Sequence, residues 1–379
     1  MSDSSPHLVF LFSDTGGGHR SAAQAIIGAL QQSYPSKFSC EMVDIFRDFA
    51  PKYLDQIPDM YPWLSAHPRL LGQIFKWSDH PRTIHWILRM IWPYIRPGLN
   101  HLLTEHPADL YISVHPLINI PLGNAFLKAG YRKPWVTVVT DLVTTHTTWF
   151  CAQADQIIVP TQEAFQVGRK WGIPAEQMQV IGQPVSVAFC QVLSDPNEIR
   201  VQLGWPVDRP VVLLMGGGEG VGKLEALAFA IDSARLPVTL VVVAGRNQEL
   251  KQRLESHQWQ IPVRIYGFVQ SIPDFMKASS ILLSKAGPGT LSEAACAGLP
   301  VIIYSKLNGP EDGNVSYFVE KGMGIWAPQD EQVMQGLLRW INQPEDYSKA
   351  RNACLKLAQP DSSLRIADLI ISLLNKEIR

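Results

Sequence analysis

The sequence predicts an α/β protein built as two successive parallel strand–helix domains, and three observations predict it. Short apolar runs rich in strand formers alternate with helical segments along the whole chain. Glycine-rich turns join strand to helix at residues 16–18, 216–222 and 287–289. The order strand, glycine turn, helix begins twice, at His7 and again at Val211, on either side of a linker marked by Pro196 and the GWPVDRP segment at 204–210. The length of 379 residues suits about two to three domains.

Composition narrows the class. A chain that is 46% hydrophobic and 18% charged is ordinary and globular, and a net charge of -1 gives no general attraction to nucleic acid. The five cysteines are scattered, with no C-x-x-C pair, which argues against a disulfide framework and a zinc site and suits a reducing cytoplasm. The opening residues MSDSSPHLVFLFSDT lack a basic segment and carry only a short apolar run, so no signal peptide is expected. No apolar stretch reaches the roughly 18 residues that a membrane span requires.

In chain order, His7 to Phe12 reads as the first strand, Ser13 to His19 as a glycine loop, and SAAQAIIGALQQ as the first helix. Asp44, at the end of a second strand over Phe38 to Ile45, invites a dinucleotide reading. That reading fails, because Ser21 stands where the third glycine of G-x-G-x-x-G belongs. His19 opens a helix, where the dipole disfavours the imidazolium, so it suits a general base; equally, its ring could only hydrogen-bond the loop backbone.

Residues 51–101 differ from the rest. Four of the eleven tryptophans (Trp63, Trp77, Trp86, Trp92) alternate with Arg69, Lys76, Arg82, Arg89 and Arg96 on what read as short, proline-broken helices. Indole rings favour the headgroup region and cations attract anionic lipid, so Trp77, Arg82, Trp86, Arg89 and Trp92 are candidates for membrane contact. Trp86, Met90 and Tyr94 at helical spacing fit a core face equally well.

Further parallel strands follow at Leu110 to Val114, Trp135 to Thr140 and Gln156 to Pro160. The second of these runs into VTDLVTTHTTWF, which places Asp141 and His146 at a carboxyl strand end, where open α/β sheets gather ligands. The second domain is expected to carry strands at Val211 to Met215, Val238 to Ala244, Val263 to Phe268, Ser280 to Leu283 and Val301 to Tyr304. Gly217 to Lys223 fits G-x-x-x-x-G-K, but Leu224 replaces the hydroxyl residue that would ligate magnesium, so a true NTPase loop is not expected. The stretch Leu282 to Pro300 reads as strand, Gly-Pro-Gly turn and buried helix, a junction whose open N–H groups suit phosphate; capping of that helix by Thr290 is the plainer alternative. Lys285, at the strand end, could be no more than a solvated edge.

Two such domains without a D-x-D metal motif describe a GT-B glycosyltransferase, two Rossmann-like domains facing a central cleft. The motifs SDTGGGHRSA, VTDLVTTHTTWF, LMGGGEG, KAGPGTLSEAACAGLP and GPEDGNVSYFVEKG together resemble the monogalactosyldiacylglycerol synthase and diacylglycerol glucosyltransferase family, itself similar to the bacterial peptidoglycan N-acetylglucosaminyl transferase. The resemblance covers nearly the whole chain. It implies inverting transfer of galactose or glucose from a UDP-hexose to diacylglycerol, with no metal cofactor, by a protein of the cytoplasm resting peripherally on the inner face of a membrane with an anionic lipid surface.

It also implies roles. His19 would be the base and Asp141 a residue of the acceptor cleft that orients it; Gly16, Gly17, Gly18 and His146 would lie near the acceptor and the sugar phosphate. Gly217 and Gly218 would face the diphosphate, Phe268 the uracil, Gly289 and Thr290 phosphate, and Glu293 or Glu311 the ribose, with Asn314 on the donor side. The domains would be 1–190 for the acceptor and membrane, with 51–101 interfacial, 191–355 for the UDP-sugar, and 356–379 a helix packing back on the first domain. The family's HPTWF is His146-Thr147-Thr148-Trp149-Phe150 here, and its GQE is Gly309-Pro310-Glu311. A UDP-sugar epimerase and a non-catalytic UDP-sugar-binding protein remain as alternatives; an epimerase would need no apolar face, and the intact Gly-Gly-Gly-His stands against lost catalysis.

Overall fold

The computed structural model describes residues 5–15, 17–52, 55–65, 67–131, 133–190, 195–217 and 223–377. They form two compact units, Met1–Val187 with Leu307–Gly313 and Asp361–Arg379, and Ala188–Lys306 with Asn314–Pro360.

The first unit is a six-stranded parallel sheet of β1 (His7–Phe12), β2 (Ser39–Asp44), β3 (Leu110–Ser113), β4 (Trp135–Val138), β5 (Gln156–Val159) and β6 (Met178–Val180), in the order β2-β1-β3-β4-β5-β6. Its central strands β3 and β4 are buried along their whole length, Ser113 and Thr137 included, because helices cover both faces. Along β1, Leu8 and Phe10 enter one buried cluster with Ile26, Leu30, Ile366 and Ile370, while Val9 and Leu11 enter another with Val43, Tyr111 and Leu102, as period-two alternation requires. The C-terminal helix Ser362–Glu377 lies on the same face as α1 (Gly18–Ser33), and Ser362 and Ser363 donate to the carbonyls of Gln183 and Val185.

The second unit is also a parallel sheet, of β7 (Val211–Met215), β8 (Thr239–Val243), β9 (Val263–Tyr266), β10 (Ile281–Lys285), β11 (Val301–Ser305) and β12 (Gly324–Trp326), in the order β12-β11-β10-β7-β8-β9. Each sheet has one point where the winding reverses, between β1 and β3 in the first and between β7 and β10 in the second. At such a point the loops leave neighbouring strands in opposite directions, and the crevice at the carboxyl ends is where open α/β sheets bind ligands.

Three helices fill residues 57–105: α2 (Ile57–Ser65), α3 (Pro68–Ser78) and α4 (Pro81–Glu105). The expected break at the prolines does not occur, for α4 runs 25 residues through Pro93 and Pro97. The two prolines lie one turn apart on the exposed face, so water can satisfy the carbonyls they leave unpaired. The inner stripe of Ile84, Leu88, Trp92, Ile95, Leu99 and Leu102 packs on the sheet and offsets the roughly 3 kcal/mol that an internal proline costs. That stripe overturns the placement of Trp92 at a membrane, since its ring packs against the core with Lys128 Nζ 4.3 Å from its centre. Trp77, Trp86, Met90 and Tyr94 are exposed, Trp77 by 61% and Tyr94 by 71%, so the core alternative for the last three does not hold; Arg82, Arg89 and Arg96 are exposed as well.

Candidate active site

The carboxyl ends of β1 and β3 assemble the first cluster. Gly17 adopts φ +78° as the N-cap of α1, a conformation that favours glycine, and no side chain caps this helix. His19 follows in the first turn. Its Nδ1 lies 2.7 Å from the Val114 carbonyl oxygen and 3.0 Å from Thr140 Oγ1. A carbonyl can only accept, so Nδ1 carries the hydrogen and Nε2 is left with its lone pair. Burial lowers the pKa of His19 to about 4, against the opposing pull of the Val114 carbonyl. The ring is therefore neutral and able to accept a proton at physiological pH. Gly16 lies outside the described residues; at Gly18 an added Cβ would meet no protein atom within 4 Å.

Asp141 does not orient His19. Its Oδ2 accepts from Trp149 Nε1 at 2.6 Å, and burial raises its pKa to about 7. The residue that holds His19 is Val114, through its backbone, and no side-chain pattern in the sequence marks that role. His146 is also engaged elsewhere: buried, with Nδ1 on the Thr148 amide and hydroxyl and Nε2 3.1 Å from Ser78 Oγ, it fastens the end of α3 to this loop instead of facing a ligand. His115, not singled out in the sequence, stacks edge-on against His19 with ring centres 4.6 Å apart. Asp44 is occupied by the backbone N–H groups of Asp14, Phe46 and Arg47, which explains an acid at that strand end without a ribose.

The carboxyl ends of β7 and β10 assemble the second cluster. Gly217 takes φ +81° with Lys285 Cε 3.5 Å from where its Cβ would be; Gly218 lies outside the described residues. Lys223 pairs with Asp330 at 3.2 Å, so the residue of the apparent NTPase motif has a partner on the surface. The helix Pro288–Cys296 starts from Gly287 with no side-chain cap, and Thr290 lies inside its first turn, so the plainer capping alternative is not what forms. A Cβ at Gly289 would meet open space and its φ is not left-handed, so nothing inside the protein demands glycine there. Asn314 is wholly buried and donates to the Ala286 carbonyl, bracing the turn from behind. Phe268 is 56% exposed, with the Arg246 guanidinium 4.6 Å from its ring centre.

The two candidate ribose acids differ. Glu311 belongs to the segment Leu307–Gly313, which groups with the first unit instead of the second domain read from sequence; it is buried and one oxygen accepts from Leu307 N at 2.7 Å. Glu293, on the helix Pro288–Cys296, has its pKa raised to about 7 by burial. A folded pKa above the unfolded one means that stability is lost as pH rises from about 4.5 to 7 and is level beyond. Glu293→Gln is therefore expected to stabilise the protein by up to about 3 kcal/mol at pH 8 and by nothing at pH 4. Thermal midpoints at the two pH values check this, and equal shifts at both would contradict the burial cost. On the expectation that Glu293 holds a ribose hydroxyl, Glu293→Ala weakens UDP binding in calorimetry; unchanged affinity would contradict that role.

Residues 19–185 match the family described as monogalactosyldiacylglycerol (MGDG) synthase, and residues 211–365 match the glycosyltransferase family 28 C-terminal domain. The chain is 34% identical to monogalactosyldiacylglycerol synthase, chloroplastic, of Spinacia oleracea over 99% of its length and 74% of that protein. It is 33% identical to monogalactosyldiacylglycerol synthase 1, chloroplastic, of Arabidopsis thaliana, over 98% and 71%. Among solved structures, MnaA of S. aureus with UDP aligns at TM-score 0.64 and 16% identity over 98% of this chain and 97% of that one. MurG of Acinetobacter baumannii aligns at 0.62 and 15% over 97% and 99%. These two share the GT-B fold of paired Rossmann-like domains. The fold is thus common to distant proteins, while sequence identity over nearly the full length is specific, and the chain belongs to the monogalactosyldiacylglycerol synthase family.

Proposed function

We propose that this protein transfers galactose from UDP-galactose to the free hydroxyl of diacylglycerol, with inversion at the sugar C1. The observation that carries the reading is His19, neutral, fixed by Nδ1–H on the Val114 carbonyl, with the Nε2 lone pair left to accept a proton. The lipid O–H gives its proton to Nε2 as its oxygen bonds to C1, and the bond from C1 to the β-phosphate oxygen breaks, releasing UDP. A single displacement of this kind inverts the carbon. The uncapped N–H groups of the helix Pro288–Cys296 suit the charge that grows on the leaving diphosphate. Lys285 and Gly217 flank the same strand ends.

The relatives' names favour galactose over glucose. No described helix is long and apolar enough to cross a membrane, and the exposed face of α3 and α4, with Trp77, Trp86, Arg82 and Arg89, suits docking from one side onto an anionic lipid surface, where the acceptor resides. Competition between UDP-galactose and UDP-glucose on diacylglycerol vesicles tests the donor: galactose is expected in the lipid product, and preferential glucose transfer would overturn that choice. An epimerase on the same fold would convert the sugar nucleotide without lipid.

A further inference from the structure

We propose that Thr15 and His115 form a tether that positions the base His19; this rests on the reading of His19 given above. Besides Thr140 Oγ1, 3.0 Å from its Nδ1, His19 has two anchors that follow different strands. Its backbone sits in the first turn of α1, set by the loop after β1, and its Nδ1 is held by Val114 at the end of β3. The strands themselves stay paired up to Val114, whose N–H donates to the Leu11 carbonyl at 3.0 Å, but the loops that leave them run in opposite directions, so a bond between those loops sets where Nε2 meets a hydroxyl.

The side chain of His115 does this. Its Nδ1 lies 3.3 Å from the Leu117 amide and accepts from it, which leaves the hydrogen on Nε2; that nitrogen donates to Thr15 Oγ1 at 3.2 Å. Ser113 Oγ donates to the His115 carbonyl, and the Phe46 ring packs edge-on at 5.6 Å. The residue is thus held by Phe46, just past β2, against its ring, by Ser113 at its backbone and by the Leu117 amide in the segment that follows, and its ring reaches the glycine loop through one bond. Because Val114 and His115 share a peptide, the tether that holds His115 also holds the carbonyl that fixes the tautomer of His19. Burial, chiefly, and then nearby His19 keep His115 neutral, so Nδ1 retains the lone pair that accepts from Leu117 and the hydrogen stays on Nε2.

The test separates the two nitrogens. Asn can mimic Nδ1 and Gln can mimic Nε2, so His115→Asn keeps the Leu117 acceptor and loses the tether, while His115→Gln keeps the donor to Thr15. Thr15→Val breaks the same bond from the other side at nearly constant volume and covers the case in which a His115 variant fails to fold. Thr15→Val and His115→Asn are expected to lower kcat by about tenfold to hundredfold, the loss that a displacement of about 1 Å brings. UDP affinity should be unchanged, and Thr15→Ser and His115→Gln should recover most of the rate.

Imidazole resonances of the [15N]histidine-labelled protein give the readout that a merely structural role would not move. His19, assigned by its loss in His19→Ala, should titrate near 4 in the native protein and move toward 6.5 in Thr15→Val. Native kcat in Thr15→Val, or a lowered kcat with an unmoved His19 titration, overturns the tether while an inactive His19→Ala leaves the base in place. An active His19→Ala overturns the base itself.

Discussion

Replacing His19 with alanine is expected to lower kcat by about two to four orders of magnitude, the range that a positioned general base contributes, while the affinity for UDP stays unchanged. The two halves of that outcome have separate origins. The groups suited to UDP lie at the ends of β7 and β10 and on the helix Pro288–Cys296, all in the second unit, whereas His19 stands at the end of β1 in the first. A neutral imidazole with a pKa of about 4 is already in its basic form throughout the neutral range, so titration of His19 should leave native kcat level there and lower it only as the pH falls toward 4. Turnover of the alanine variant within tenfold of native would place the base elsewhere.

Reversing Arg82, Arg89 and Arg96 to glutamate is expected to weaken sedimentation with anionic vesicles by at least about a hundredfold, because each basic side chain at such a surface contributes about 1 kcal/mol. The native interaction should weaken with salt for the same reason. Trp77→Ser with Trp86→Ser should weaken binding in a way that salt changes little, since both rings are exposed apolar surface. Trp92 provides the contrast. Its ring is part of the packed side of α4, so Trp92→Ala should lower the thermal midpoint and leave vesicle binding intact. Unchanged sedimentation of the triple reversal would make this face a structural one.

The parts that the sequence made legible are those governed by local physics. β1, β7 and the strand that leads to Gly287 are apolar on both faces and stand out as runs. The glycine turns announce the junctions that follow them. β6 and β12 gave no such signal, being three-residue strands at the sheet edges with little burial. Pro93 and Pro97 misled because a proline spacing of four places both missing bonds on the solvent side, which only the buried stripe of α4 reveals. His19 was legible from its place at a helix start, but its partners were not. Val114 acts through its backbone, and His115 meets His19 only because β3 pairs with β1 rather than with β2. Asp141 lies three residues and His146 eight residues after β4, and Trp149 and Ser78 occupy them through bonds that depend on tertiary neighbours.

The most direct test is to incubate the protein with UDP-galactose and diacylglycerol vesicles and to determine the linkage of the lipid product by proton coupling at the anomeric carbon. The expected result is a β-linked monogalactosyldiacylglycerol, formed with one UDP released per lipid and only when diacylglycerol is present. An α-linked product would contradict a single displacement assisted by His19, and release of UDP or an altered sugar nucleotide without lipid would contradict the transfer itself.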